Sequence, residues 1–154
     1  MRVESGAGRF ALRLVVPSFW LGLLVALAFI ETPLKFLGPG VTLDIALGIG
    51  RLVLTAADIA GAGLLLATTV LALLRPRVGK PSLWVLGGLW LVLVVQVGVV
   101  RPLLNARTEA VLAGLEAGGS WLHNVYIVAD VLLVGLLIAL LVTTVREYRA
   151  AIRR

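Results

Sequence analysis

The sequence predicts an all-α fold, a bundle of four transmembrane helices, and three observations predict it. Of the 154 residues, 60% are hydrophobic and 14% charged, against roughly 45–50% and about 25% in soluble domains. The whole chain has a mean hydropathy of +1.07, and its apolar residues gather in four runs near the ~20 residues that a helix needs to cross a bilayer. The basic residues sit at the ends of those runs. A formal charge of +6 in that arrangement reads as membrane orientation and not as nucleic-acid binding. The same figures exclude a disordered or fibrous chain and argue against a soluble globular one. Residues 1–154 are expected to form one integral membrane domain.

The first span runs from about Leu12 to Ile30 and is expected to stop at Glu31-Thr32-Pro33. Arg2, Arg9 and Arg13 stand ahead of its uninterrupted apolar run and Ala26-Leu27-Ala28 fits a small-x-small cleavage site, so it has features of a signal peptide. Everything downstream is also membrane-like, and the expectation is an uncleaved first helix. The second span, from about Leu43 to Leu74, is longer than crossing requires and holds Arg51 and Asp58. A short connection, Arg75 to Ser82, folds it back onto the third as an antiparallel hairpin. The third, Leu83 to Val100, carries no charge and is expected to stop at Arg101-Pro102, because proline cannot donate the next helical hydrogen bond. The fourth runs from about Trp121 to Val145 around Asp130.

Between the third and fourth spans, Pro102 to Ala117 reads either as an interfacial helix in the second outer loop or as a polar loop. Pro102 suits a first helical turn and Gly118-Gly119 a helix end. Leu104, Val111 and Leu115 fall on one face, with Asn105, Glu109 and Glu116 on another. Trp84 and Trp121 stand at span ends, where aromatic rings favour the interface, while Trp20 and Trp90 lie deeper as packing residues. Ala46 with Gly50, Ala57 with Gly61, and Gly87-Gly88 allow close helix approach.

Orientation follows from the basic residues. Arg2, Arg9, Arg13, Arg75, Arg77, Lys80, Arg146, Arg149, Arg153 and Arg154 fall on one side. Lys35, Arg51, Arg101 and Arg107 fall on the other, offset by Glu31, Asp44, Glu109 and Glu116. That bias places both termini in the cytoplasm of a multi-pass protein of the cell membrane, as in a bacterial inner membrane. The two hairpins also look alike. Pro33 and Pro102 each follow an outward span, and Arg51 to Asp58 parallels His123 to Asp130. Either these are two parallel helical-hairpin repeats about an axis along the membrane normal, or apolar helices have aligned by chance.

The polar residues within the spans carry the functional signal, since an intramembrane acid costs about 2.5–3.5 kcal/mol on insertion scales and usually faces the bundle. Counting ~1.5 Å per residue from Arg75 and Arg146 places Asp58 and Asp130 at one depth, in the outer third of the membrane. Gln96 reaches the same level. His123, Tyr126 and Asp130 share a face of the fourth span, as Arg51, Thr55 and Asp58 do on the second. The expectation is an upper layer of Arg51, His123, Glu31 and Arg101 above a lower layer of Asp58, Gln96 and Asp130. Two readings of that cluster stay open. The two carboxylates share a proton or hold a cation, or Arg51, Arg101 or His123 neutralises them and they lock the helices together. Glu31 and Lys35, four apart, are also readable as a solvated pair.

Several stretches carry a family resemblance: Ser18-Phe19-Trp20-Leu21-Gly22, Glu31-Thr32-Pro33-Leu34-Lys35-Phe36, Gly48-Ile49-Gly50-Arg51, Arg101-Pro102-Leu103-Leu104-Asn105-Ala106-Arg107 and His123-Asn124-Val125-Tyr126-Ile127. Together they resemble a domain-of-unknown-function family of small bacterial four-helix integral membrane proteins. In that family's pattern the acid on helices two and four is often Glu, where this chain has Asp58 and Asp130. The resemblance implies a membrane protein of unassigned activity and carries over no catalytic residues.

There is no Cys, and one His and one Met leave little soft-metal chemistry. No nucleophile–base pair, glycine-rich phosphate loop or metal-ligand cluster occurs. The chain is therefore not expected to be an enzyme or to carry a cofactor or metal. Two functions remain. One is a small transporter or ion- or proton-conducting protein with a binding site at Asp58, Asp130, Gln96, His123, Arg51, Tyr126, Glu31 and Arg101. The other is a non-transporting accessory subunit of a larger membrane complex. On either reading the chain's surroundings are the lipid bilayer and, because four helices make a thin wall, a homo-oligomer or a membrane partner subunit.

Overall fold

Runs of Leu, Val and Ala free of helix-breaking pairs fold into four rods. The computed structural model describes residues 2–115 and 121–153. Helix α1 comprises Arg2–Val25, a π-helical turn Ala26–Glu31, the short α segment Thr32–Leu34 and a closing 3-10 turn, Lys35–Leu37. Helix α2 is Leu43–Leu73. Helix α3 comprises Lys80–Val95, a second π turn Gln96–Val100, and Arg101–Leu112. Helix α4 is Trp121–Ile152. No strand occurs among the described residues. All four rods are long and apolar enough to cross a membrane, which is the build of a multi-pass integral membrane protein.

The helices pack in chain order around the bundle: α1 against α2 and α4, α3 against α4 and α2. Leu65, Leu89, Leu133 and Leu137 fill the centre with Trp20, Leu86, Leu93 and Leu140. Gly61 admits Trp20, since a Cβ there would lie 3.3 Å from the indole Nε1. Gly88 admits Leu136 in the same way, whereas Gly87 faces open space. Trp90 donates its indole N–H to Thr69 Oγ1 at 3.0 Å. Trp84 and Trp121 are exposed. The outward face of α2 presents Leu52, Ile59, Leu66, Val70 and Leu73, an apolar exterior suited to hydrocarbon.

Two expected helix ends do not occur. Neither Glu31-Thr32-Pro33 nor Arg101-Pro102 stops its helix, and each proline is instead preceded by a widened turn. Thr32 N–H reaches back to the Leu27 carbonyl and Arg101 N–H to the Gln96 carbonyl, five residues each. A proline ring crowds the preceding turn and lacks an N–H, and an i→i+5 turn accommodates it where an ideal α-helix would break. The segment from Pro102, expected either as a separate surface helix or as a polar loop, is therefore the continuation of α3. It ends at Leu112, where Gly114 takes φ +71° and Leu115 N–H bonds the Ala110 carbonyl at 3.0 Å. Glu116, Ala117 and Gly118-Gly119, the expected end, lie outside the described residues. The fourth helix continues past Val145 to Ile152.

At the end of the bundle where α2 turns into α3, side chains from the other two helices close the turn. Arg13 of α1 donates to the carbonyls of Leu71, Leu74 and Pro76 at 2.9, 2.8 and 2.7 Å. Glu147 of α4 accepts from Gly79 N–H at 2.8 Å and from Ser82 Oγ at 2.9 Å. A cation thus meets the negative end of one helix and an anion the positive end of the next.

Candidate functional site

The continuation of α3 past its π turn, Arg101–Leu112, builds the site, because it carries Arg101 and Glu109 alongside the start of α2. Arg101 is 6% exposed. Its Nε lies 3.5 Å from Asp58 Oδ2, and its Nη2 donates to the Arg51 carbonyl at 2.7 Å and to Thr55 Oγ1 at 2.8 Å. From α4, the Tyr126 hydroxyl donates to Asp58 Oδ1 at 2.9 Å. Asp58 is thus held by groups on two other helices.

Asp130 has a different environment. Gln96 Nε2 donates to its Oδ1 at 2.7 Å, and among the described residues Asp130 forms no ion pair. Gln96 is 2% exposed, sits in the π turn of α3, and its Oε1 is buried without a hydrogen bond. A buried acceptor in that state is a place for a donor.

Two adjoining cavities organise these groups. The inner one, about 290 Å³, is lined by Asp58, Gln96, Tyr126 and Asp130 with Trp20 and Leu133. The outer one, about 610 Å³, is lined by Arg51, Arg101, Asn105 and Arg107 among others. Thr32, Lys35, Leu54 and His123 line both. Among the described residues, no group of three or more His, Asp and Glu side chains converges as a metal site.

The expected two layers are rearranged. Arg101 does not sit above Asp58 but reaches it, and Arg51 turns away to Glu109 at 2.6 Å, leaving only its carbonyl in the network. Glu31 pairs with Lys35 at 3.5 Å, and the pair is half-buried to buried rather than solvated. Both carboxylates face the inner cavity, each with its own donors. Sequence reasoning passed over Lys35 as a site residue. The available signal was Gly50, whose missing side chain leaves room for the Lys35 ammonium: a Cβ there would lie 2.8 Å from Nζ. Comparisons with protein-family models, with curated proteins and with solved structures return no match to this chain.

Proposed function

We propose that the protein is a small non-enzymatic transporter or conductor of protons in the membrane, with Asp130 as the group that takes up and releases the cargo. The observation that carries this reading is the contrast between the two acids. Asp58 has a cationic partner, whereas Asp130 faces a cavity with one amide donor. A carboxylate at low dielectric without a positive partner is neutralised by binding a proton or a cation. Lys35, lining both cavities, opposes the approach of metal cations and so favours the proton. His123 and Tyr126 line the route, and Arg51, Arg101 and Glu31 hold its walls.

The same reading includes both termini in the cytoplasm, from the charge bias, and a homo-oligomeric or partnered assembly in a bacterial inner membrane. It also includes two parallel hairpin repeats. Each outward helix carries its π turn shortly before a proline, and each returning helix carries its aspartate. The resemblance to the four-helix family of unassigned activity is compatible with this proposal.

In liposomes bearing the purified protein, a pH gradient should dissipate at least tenfold more slowly with Asp130→Asn than with the native chain. Equal rates would overturn the proposal. A second reading, an accessory subunit, is favoured by the Arg101–Asp58–Tyr126 network, which is satisfied within the chain and stitches α2, α3 and α4 together. It would be supported if Asp130→Asn left flux unchanged and instead abolished co-purification of a membrane partner.

A further inference from the structure

The outer cavity, about 610 Å³, has the size of a small-molecule pocket. Lys35, Arg51, Arg101 and Arg107 line it, and no carboxylate among the described residues does. Leu43 and Leu47 of α2 face Leu104 and Val111 of α3 across it as an apolar wall. Arg101 and Arg51 are engaged elsewhere. Arg101 is fixed on Asp58, Thr55 and the Arg51 carbonyl, and Arg51 on Glu109 at the exposed rim.

Lys35 differs. Its side chain is 10% exposed, and its ammonium meets one oxygen, Glu31 Oε2, at 3.5 Å. At that distance most of the three-donor capacity of an ammonium is unused. Phe36 offers a ring face at 5.7 Å, a soft contact that satisfies no N–H. Gly50 leaves bare backbone beneath Nζ, where a Cβ would lie 2.8 Å away. A largely sequestered ammonium with unused donors, seated at the edge of a cavity with a hydrocarbon wall, is matched by an acceptor anion joined to an apolar body.

We propose that the outer cavity binds an amphiphile with a single anionic head, a carboxylate or a phosphate, seated on Lys35 with its hydrocarbon body along the α2–α3 wall. This site rests on Lys35 and Gly50 and is independent of proton uptake at Asp130.

The test uses the full chain in a neutral detergent, with oleate, methyl oleate and inorganic phosphate as probes and calorimetric titration as the readout. Oleate is expected to bind at least tenfold more tightly than methyl oleate, which lacks the charge, and than inorganic phosphate, which lacks the chain. Lys35→Met and Gly50→Ala should each weaken oleate at least tenfold, the second by displacing the ammonium without removing it, while Lys35→Arg retains most of the affinity. Equal binding of oleate and its methyl ester, equal binding of phosphate and oleate, or native affinity in both Lys35→Met and Gly50→Ala would overturn the proposal. The ester comparison needs no variant and stands if Lys35→Met fails to fold. Nanodiscs of phosphatidylglycerol or phosphatidylcholine assign the source. Competition with oleate by the anionic lipid alone supports a lipid headgroup, and no competition by either lipid, with oleate bound, supports a free amphiphile.

Discussion

Asp58 accepts from Tyr126 and pairs with Arg101, whereas Asp130 accepts one amide N–H from Gln96. Removing the cation from the first acid leaves a buried charge alone, so Arg101→Met is expected to lower stability by about 3–5 kcal/mol. Thermal unfolding of the detergent-solubilised protein measures this, and adding Asp58→Asn to that variant should recover part of the loss. The second acid behaves oppositely. An asparagine at 130 accepts from Gln96 Nε2 and can donate to the orphan Gln96 Oε1, so Asp130→Asn should match or slightly exceed native stability while proton flux is lost. A clear drop in its melting temperature would contradict this. That both acids line one cavity agrees with their matched counts along α2 and α4, because distance along a helix is linear in residue count. Their partners were not legible in that way. Arg51 pairs with Glu109 because Glu109 belongs to the rod that also carries Arg101, which no residue count reveals once that rod is expected to end at Pro102.

At the scale of the elements, the two π turns explain the largest departure from expectation. Proline was read as a stop from its missing N–H, yet a single widened turn before it lets the helix run on. A π turn holds one residue more than an α turn, which yields a deletion test. Removing Val99, an exposed residue within the second π turn, should relax it to an α turn and keep both flanking registers. Removing Leu91, also exposed but in regular helix, rotates everything beyond it by about 100° and should separate Arg101 from Asp58. Cysteine cross-linking between positions 51 and 109 in each deletion variant distinguishes the two outcomes. At the α2–α3 turn, Glu147→Ala removes the acceptor of Gly79 N–H and Ser82 Oγ and should cost about 1–2 kcal/mol, as loss of a helix cap does, read by the same thermal unfolding.

On the scale of the whole molecule, four apolar rods follow directly from composition, because a chain this rich in Leu, Val and Ala cannot cover its surface with polar groups. The order of the rods around the bundle is a matter of short connections and was readable for the α2–α3 hairpin. The closure of α4 onto α1 depends on side-chain fit, such as Phe10 stacked on Tyr148 with ring centroids 3.7 Å apart, and is not visible in periodicity. The contacts at the α2–α3 turn also bear on biogenesis. The turn in the middle of the chain is sealed by Arg13 from the first helix and Glu147 from the last. A nascent chain holding only three helices therefore leaves the amino end of α3 unsealed. Arrival of the fourth helix supplies Glu147 and so completes the hairpin that precedes it.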